Sequence, residues 1–488
     1  MTASRRDDLI VGLAAAVPLA WMLAREHAIA GAPGFPLDDS WIHLHFARHL
    51  AEGAGFAYNL GQPVSGSTAP LWTLLLAAGA LVAGATLAMV KTLGVAAGIA
   101  AALVVRRAAL AFGAPPAAAL SAAVTLLWTG AFAWGALSGM EVMLAALLVG
   151  AALLALARDA TWATALAGAL AALARPEAIL LTPLLAAARP LTLRRALIFT
   201  IVTVAALAPF VAFSYATVGR PVPATAVAKV EGGLLGWLGG IRESPLTTWG
   251  IRPRDFSIEW TRWLFQTHVL LPLALPSIAL VWTRGNRALG VVGLALLVHP
   301  LGMALLAPYR GPAFQEGRYS IHLLPIAVVL LTIALAKGMR ARPILVLAPL
   351  ALALLPLSAA AERYAWGVQN INAMQVHLGR WLERNTAVDA TLAVNDIGAI
   401  AFFSRRPVLD LMGLVTPEIL PYRREGESGI VRFVQQRCPD YVVIFPAWFP
   451  ELSARRDVLT PIYATRLAHN EVSGGPEMVV YRLARCAV

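Results

Sequence analysis

Long apolar runs separated by short polar segments dominate the first three quarters of the chain. Because a membrane-spanning helix needs about 20 apolar residues, with about 17 as a lower limit, these runs predict about eleven transmembrane helices. The predicted spans are residues 9–27, 92–108, 115–133, 141–157, 161–174, 177–188, 195–215, 266–282, 288–307, 321–336 and 343–361. The runs 161–174 and 177–188 are short, so they fit either two spans or a hairpin that does not cross fully.

The basic residues between these runs indicate how the spans are oriented. If the spans alternate, one side of the membrane receives Arg5/Arg6, Arg106/Arg107, Arg158, Arg189/Arg194/Arg195, Arg284/Arg287 and Lys337/Arg340/Arg342. Lys and Arg collect on the cytoplasmic side, so this side is predicted to be the cytoplasm. The outer side then receives residues 28–91, 134–141, 216–265 and 308–320, and the tail after about residue 362. The run 70–90 is apolar enough to span, but we place it as an outer-leaflet helix, because another span would put Arg106 and Arg107 outside.

The composition agrees with a membrane protein and argues against nucleic acid as a partner. Of the 488 residues 59% are hydrophobic and only 14% are charged, and the mean hydropathy is +0.69, whereas a soluble domain carries about 25% charged residues. The net charge of +12 comes from the clusters between apolar runs. Such clusters orient membrane proteins, and they lack the interleaved aromatic residues of a nucleic-acid surface.

The tail, residues 363–488, has a different pattern. Four short β-type runs alternate with two helical runs, and this alternation predicts a small α/β domain outside the membrane. The predicted strands lie in "ATLAVND", "RPVLDLMG", "DYVVIFP" and "EMVVYRL". The chain therefore divides into a transmembrane module, 1–362, with a large first outer loop, 28–91, and the tail domain. Cys438 and Cys486 in the tail fit either a disulfide bond or two free thiols.

Two adjacent carboxylates in the first outer loop are the strongest chemical candidates. Asp38 and Asp39 begin a predicted amphipathic helix, on which Asp39 and His43 share a face because they are four residues apart. The apolar side of this helix is formed by Trp41, Leu44, Phe46 and Leu50. One interpretation is a solvated helix start, with Asp38 as the capping residue. The other is a functional site at the membrane surface.

Further charges on the predicted outer side favour the functional interpretation. Glu141 lies at the outer end of a span, where an ionisable residue is a functional candidate. Four basic residues occur outside despite the cytoplasmic bias, and each fits either a lipid headgroup or a bound anion: Arg48, Lys229, Arg310 and Arg318. A carboxylate can take a proton from a hydroxyl, and cations can hold a phosphate leaving group. Glycosyl transfer from a polyprenyl-phosphate sugar requires both.

Several segments, in order along most of the chain, resemble the bacterial type C glycosyltransferases. These are integral-membrane enzymes that use polyprenyl-phosphate sugars, and the cell-wall arabinofuranosyltransferases are the most similar group. The matching segments are "LDDSWIHLHFARHLAEGAGFAYNLGQPVSGSTAPLWTLLL", "LSGMEVML", "LAALARPEAILL", "GRPVPATAVAKV", "EGRYSIHLLP" and "VNDIGAIAFFSRRPVLDLMGL". The chain departs from the family pattern at Ser40 and Trp41, which replace Ala-Tyr, and at Ala224, which replaces Asn.

The resemblance implies roles for individual residues. Asp38 is expected to act as the catalytic base with Asp39 beside it, and Lys229 and Arg318 are expected to bind the donor phosphate. His43, Arg48 and Glu141 are expected substrate or metal contacts. Some relatives bind a divalent cation and others do not; Asp39, His43 and Glu141 can supply ligands, but no spacing requires a metal, so this point stays open. Arg175 and Glu177 are interpreted as a structural ion pair at a helix break.

These observations predict an inverting glycosyltransferase with a helical type C fold in the bacterial cytoplasmic membrane. The donor is a polyprenyl-phosphate sugar, and the acceptor is a glycan, a lipid or a protein on the outer face. The alternative is a polytopic transporter or a flippase for lipid-linked sugars. A transporter predicts ionisable residues near the bilayer midplane and an internal repeat. The sequence shows no repeat, and its acids cluster at the outer ends of spans.

Overall fold

The computed structural model describes residues 3–484, so Cys486 lies outside the described part. The first half of the chain is helical, apart from a small hairpin of β1 (Ala57–Asn59) and β2 (Gln62–Pro63). Its helices are α1 (Ala3–Ala14), α2 (Ala16–Ala30), α3 (Asp39–Ala51), α4 (Pro70–Ala83), α5 (Leu87–Ala111), α6 (Pro116–Trp128), α7 (Gly130–Leu137), α8 (Val142–Ala157), α9 (Thr161–Ala174), α10 (Leu181–Ala187) and α11 (Leu193–Val218). A 3₁₀ turn, Pro176–Leu180, joins α9 to α10 because Pro176 interrupts the helix.

Helices also form the second half of the membrane part and lead without a break into the tail. They are α12 (Ala224–Ala228), α13 (Gly233–Leu238), α14 (Arg252–Thr267), α15 (Ala274–Thr283), α16 (Arg287–Gly293), α17 (Ala295–Leu306), α18 (Phe314–Gly317), α19 (Leu324–Ala341), α20 (Leu347–Ile371) and α21 (His377–Asn385). Residue 363, the expected start of the tail domain, lies inside a continuous helical stretch, Pro343–Asn385. The domain boundary therefore stays a prediction.

Each predicted span coincides with a helix or a pair of consecutive helices. Among residues 3–484, six helical stretches have the length and apolar composition of a membrane span. The pair α6 and α7, bent by 61°, makes a seventh if it counts as one span. Five shorter apolar helices are Pro70–Ala83, Val142–Ala157, Thr161–Ala174, Pro176–Ala187 and Leu271–Thr283. The chain is a multi-pass helical membrane protein, but the predicted count of eleven spans is not confirmed.

Helix α3 of the first outer loop is buried rather than amphipathic at the surface. Residues 40–49 of α3 are all buried, including three histidines and Arg48. The prediction of a half-solvated helix was wrong here, because α4 packs against one side of α3 and the tail helix α22 (Gly398–Ser404) packs against another. The loop that carries the two carboxylates is thus enclosed between the membrane helices and the tail.

The tail contains a five-stranded mixed sheet, which confirms the predicted α/β region. The strands are β3 (Leu392–Val394), β4 (Val408–Asp410), β5 (Tyr441–Ile444), β6 (Leu459–Arg466) and β7 (Glu477–Leu483), in the order β4-β3-β5-β7-β6. Strand β3 is parallel to β4 and β5, and β7 is antiparallel to β5 and β6. The remaining tail helices are α23 (Leu420–Arg423), α24 (Glu427–Arg437) and α25 (Pro450–Ala454). Sequence analysis missed β6, whose residues are mostly exposed and carry no buried run. Cys438 is disulfide-bonded.

The carboxyl ends of the parallel strands face the first outer loop. Asp396 follows β3, and Asp410 ends β4. In sheets of this kind, functional residues collect at the carboxyl ends of parallel strands. The Tyr58 hydroxyl donates to the carbonyl of Ile397, after β3, at 2.8 Å. The Asn59 amide donates to the carbonyl of Val408, the first residue of the edge strand β4, at 2.9 Å. The tail is therefore fixed to the loop both beyond the end of β3 and at the start of β4.

Candidate active site

A small cavity of about 40 Å³, partly open to solvent, lies where several helix ends meet. The N-terminus of α8, the C-terminus of α9, the segment before α19 and the short helix α12 converge on one side of α3. The cavity is lined by Asp39, Ile42, His43, Gly66, Ser67, Thr68, Met140, Glu141, Arg175, Thr225, Lys229, Arg318, Tyr319 and Leu414. Five of the predicted site residues, separated by up to 279 positions along the chain, are thereby brought together.

Asp39 faces two cations across this cavity. The Arg318 Nη1 donates to Asp39 Oδ2 at 2.7 Å, and the Lys229 Nζ lies 3.8 Å from the same oxygen. Burial alone would raise the pKa of the Asp39 carboxyl, but the charges of Arg318 and Lys229 outweigh it and lower the pKa below its ordinary value. Asp39 is therefore ionised at neutral pH and is paired with the residues that were predicted to bind phosphate.

A second carboxylate forms the floor of the cavity. Glu141 is 2% exposed and is ion-paired with Arg175 through one oxygen, while its other oxygen lies 3.3 Å from His43 Nε2. Burial lowers the pKa of His43 to about 4, so this imidazole is neutral at pH 7. Arg175 also lies 3.3 Å from Glu177. The interpretation of Arg175 as only a structural partner of Glu177 was therefore incomplete, because its guanidinium also lines the cavity.

The charges that line the cavity favour an anionic ligand. Three cations, Arg175, Lys229 and Arg318, face two carboxylates, Asp39 and Glu141. Glu177 compensates Arg175 from outside the lining. Lys229 is the most accessible cation, with 23% of its side chain exposed, whereas the side chains of Arg175 and Arg318 are both 5% exposed. Buried, preorganised guanidinium groups of this kind bind phosphate or stabilise developing negative charge.

The Asp38 carboxylate points away from this cavity and toward the tail. Its two oxygens accept hydrogen bonds from the backbone N–H groups of Gly398 and Ala399, both at 2.7 Å. Burial and the nearby Asp396 carboxylate raise the pKa of Asp38 well above its ordinary value. The backbone comes unusually close at this point, since a Cβ on Gly398 would lie 2.1 Å from the carbonyl oxygen of Asp38. Asp38 joins the loop to the tail and is not among the residues that line the cavity.

Arg48 also lies outside the cavity lining. Its guanidinium donates to the carbonyl of Phe402 at 3.0 Å and contacts His45 Nδ1 at 3.0 Å. It also stacks over the Phe402 ring at 4.4 Å. Arg48 therefore joins α3 to α22 and does not line the cavity.

Sequence reasoning did not single out several of the lining residues, among them Tyr319, Thr225 and Leu414. Tyr319 accepts a hydrogen bond from Arg318 Nη2 at 3.1 Å, and the Arg175 guanidinium lies 4.6 Å from its ring centre. Thr225 and Leu414 come from α12 and from the loop after β4. Tyr319 follows Arg318 directly, so the adjacent aromatic residue was a usable signal. Nothing in the sequence signals Leu414, because its position depends on how the tail docks.

The described residues contain no group of three or more His, Cys, Asp or Glu side chains arranged to hold a metal ion. Asp39 and Glu141 each pair with arginine, and His43 contacts only Glu141 at close range among these acids.

Comparison with known proteins supports the fold. Residues 369–481 match the sequence profile of a domain of unknown function, DUF8728. No curated protein sequence matches the chain. The structure is similar to that of ArnT from Cupriavidus metallidurans bound to undecaprenyl phosphate, with 13% identity, 98% of both chains covered and a TM-score of 0.60. The apo form of that protein gives a TM-score of 0.62 at 12% identity, with 97% of both chains covered.

A second similar structure comes from an archaeon. It is the oligosaccharyltransferase AglB from Archaeoglobus fulgidus in complex with an inhibitory peptide and a dolichol-phosphate, with 12% identity and a TM-score of 0.57. That similarity covers 94% of this chain and 73% of the archaeal chain. The chain therefore has the type C glycosyltransferase fold, as its sequence motifs predicted.

Proposed function

We propose that this protein transfers a sugar from a polyprenyl-phosphate donor to an acceptor hydroxyl or other nucleophile in the cell envelope. The observation that carries the proposal is the cavity in which Asp39 lies between Arg318 and Lys229. A carboxylate next to buried guanidinium groups combines a proton acceptor with an anion site. Two proteins of the same fold were solved with undecaprenyl phosphate or dolichol-phosphate, which supports a lipid phosphate as part of the donor.

Arg318 and Lys229 are the residues proposed to bind the donor phosphate. Both cations contact Asp39, so an incoming phosphate would compete with this carboxylate for them. Arg175 lies on the same cavity and is held by Glu141. It is placed to stabilise the charge that develops on the phosphate as the glycosidic bond breaks.

Asp39 is the proposed base, although the sequence alone favoured Asp38. Both Asp38 oxygens accept backbone N–H bonds from the tail, which leaves Asp39 as the member of the pair on the cavity. The lowered pKa of Asp39 makes it a weak base while both cations face it. When a phosphate shares those cations, the pKa of Asp39 should rise, so the base becomes stronger once the donor is bound.

The proposed step is a single displacement. The acceptor oxygen loses its proton to Asp39 and forms a bond to the anomeric carbon. The bond between this carbon and the phosphate oxygen breaks, and its electron pair stays on the phosphate. This step inverts the anomeric configuration and needs no general acid, because a phosphate leaves as a stable anion. The distribution of basic residues supports an active site, and a tail domain, on the outer face of the bacterial cytoplasmic membrane.

The test uses purified protein in lipid nanodiscs with a radiolabelled polyprenyl-phosphate sugar and a cell-envelope extract as acceptor. Transfer predicts loss of label from the lipid phosphate and its appearance in the acceptor, and NMR of the product should show an inverted anomeric centre. A matched preparation of Asp39→Asn controls for contaminating transferases. In liposomes, movement of the intact donor between leaflets without any transfer would favour a flippase and contradict the proposal.

A further inference from the structure

One loop of the tail takes part in the cavity. Residues 411–416, called here the tail loop, follow strand β4, and Leu414 from this loop lines the cavity opposite residues of the membrane part. Leu414 is half-buried, whereas the neighbouring Val415 is 7% exposed and belongs to the core shared by α3 and the tail. The cavity wall is thus completed by a residue of the tail domain.

A buried carboxylate fixes the shape of the tail loop. Asp410 is fully buried and accepts hydrogen bonds from the backbone N–H groups of Met412 at 2.8 Å, of Leu414, and of Val415 at 2.9 Å. The backbone N–H of Asp410 donates to the Thr416 hydroxyl at 2.9 Å. These bonds satisfy consecutive backbone groups of the loop, so Leu414 is held in one position.

Thr225 connects the tail loop to two other segments. Its hydroxyl contacts the carbonyl of Gly66 in the first outer loop and the carbonyl of Leu414, the latter at 3.2 Å. Gly66 allows this approach, because a Cβ there would lie 2.7 Å from Val415 Cγ1. The three segments therefore meet without space between their backbones, and Leu414 has little freedom to move away.

The contact between Thr225 and Leu414 places Leu414 near Lys229 and Arg318, the proposed phosphate-binding residues. Thr225 lies in α12, Lys229 is the residue that caps the end of this helix, and both line the same cavity. Residues four apart on a helix have Cβ atoms about 5–6 Å apart on one face. A sugar joined directly to a phosphate held by Lys229 and Arg318 would reach the part of the cavity next to Thr225 and Leu414.

We propose that Leu414 limits the size of the sugar that the cavity accepts. This inference rests on the proposed function. Hydrogen bonds of the Thr225 hydroxyl and of the Asp410 carboxylate to backbone groups fix Gly66, Thr225 and the tail loop around Leu414. The side chain of Leu414 is therefore the part of this wall that a substitution can change. Truncation to alanine removes three carbon atoms and opens space beside the sugar, which favours a hexopyranose, with its exocyclic CH₂OH group, over a pentopyranose, so both conjugates in the test below are pyranosides.

The test measures binding, so it does not depend on an acceptor. Leu414→Ala and wild type in nanodiscs are titrated with polyprenyl phosphate, a pentosyl conjugate and a hexosyl conjugate. The ratio of hexosyl to pentosyl affinity should rise roughly tenfold in Leu414→Ala, as a change of a few methylene groups in a pocket usually gives. The affinity for polyprenyl phosphate itself should stay within about twofold, because the cations are unchanged.

Leu409→Ala is the matched control. Leu409 is also a half-buried leucine of the tail, two residues before the tail loop, but it packs in the tail core and is not among the residues that line the cavity. Its affinity ratio should equal that of wild type. An unchanged ratio in Leu414→Ala, or an equal change in Leu409→Ala, would overturn the size limit while leaving the proposed function intact. Failure of wild type to bind polyprenyl phosphate or either conjugate would overturn both.

Discussion

Two adjacent aspartates of the first outer loop lie in opposite environments. Asp39 faces Arg318 and Lys229 in the cavity, whereas Asp38 faces two backbone N–H groups and the Asp396 carboxylate at the junction with the tail. The pKa of Asp39 is lowered by the two cations, although burial opposes this effect, and the pKa of Asp38 is raised by burial and by Asp396. The same chemical group therefore lines the cavity on one side of the helix start and joins the loop to the tail on the other.

The largest effect is expected from changing Asp39. Asp39→Asn should lower the transfer rate by about 10²- to 10⁴-fold, the range for loss of a general base. The same change removes the carboxylate that competes for Arg318 and Lys229, so binding of polyprenyl phosphate should become about tenfold tighter. Titration of both variants in nanodiscs measures the binding, and the labelled-donor assay measures the rate. Weaker binding in Asp39→Asn would show that Asp39 does not compete with the phosphate.

Loss of a cation should weaken both rate and binding. Arg318→Ala removes a buried guanidinium and leaves Asp39 with Lys229 as its remaining cationic neighbour in the cavity, so transfer should fall by about 10²- to 10³-fold. Lys229→Ala should cost less, about tenfold, because Lys229 is farther from Asp39 and partly exposed. Arg310→Ala is the control, since Arg310 is exposed and does not line the cavity. Equal losses in Arg310→Ala would mean that the effect comes from general surface charge.

Much of this arrangement could be predicted from the sequence. Apolar length placed the helices, and the bias of the basic residues made Lys229 and Arg318 stand out as unusual cations. The spacing of Asp39 and His43 put both on one face of α3, and both line the cavity. These signals are local, or depend on one charge pattern along the chain, so they can be interpreted without knowledge of the tertiary fold.

The roles within the aspartate pair could not be predicted in the same way. Asp38 accepts hydrogen bonds from Gly398 and Ala399, which lie 360 and 361 residues further along the chain. No local sequence pattern predicts these contacts. Burial of α3 on several sides depends equally on the docked tail. Leu414 enters the cavity only because Asp410 and Thr225 shape its loop. Long-range packing thus decides which of several plausible residues faces the substrate.

A smaller effect is expected where the tail meets Asp38. Gly398→Ala places a Cβ 2.1 Å from the Asp38 carbonyl oxygen, so the loop and α22 must move apart. Overpacking of this kind usually costs about 1–3 kcal/mol. The melting temperature in detergent should fall, and the transfer rate should fall with it, because Asp39 follows Asp38 in the chain.

Gly338→Ala is the control for this change. Gly338 lies in α19, and a Cβ there would have no described atom within 4 Å. Its melting temperature should stay at the wild-type value or rise slightly. A Gly398→Ala protein that melts like wild type would show that the tail does not press closely on Asp38.

The smallest effect concerns the acidic pair itself, and its sign follows from the direction of the pKa shifts. Burial raises the pKa of both Asp38 and Asp396. The charge of Asp396 raises the pKa of Asp38 further, and the charge of Asp39 raises the pKa of Asp396. Between the ordinary value of about 3.9 and these raised values, the folded protein binds more protons than the unfolded chain. The carboxylate pair therefore does not lower the free energy of unfolding below pH 4. The free energy of unfolding declines as the pH rises through the raised pKa values.

Asp396→Asn removes one charge while keeping the hydrogen bonds. Gln375 Nε2 donates to Asp396 Oδ2 at 2.6 Å, and an amide oxygen can still accept this bond while the amide N–H₂ donates to Asp38. The variant should melt at a higher temperature than wild type at pH 8, by about 1 °C for each kcal/mol of relieved repulsion in a chain of this length. The difference should shrink toward pH 4, where the wild-type pair is protonated. Asp389→Asn, at an exposed tail carboxylate, should give no such trend. A melting-temperature difference that grows as the pH falls would contradict this prediction. It would mean that a bridging cation or water network makes Asp38 and Asp396 attract each other, instead of the two buried carboxylates repelling each other.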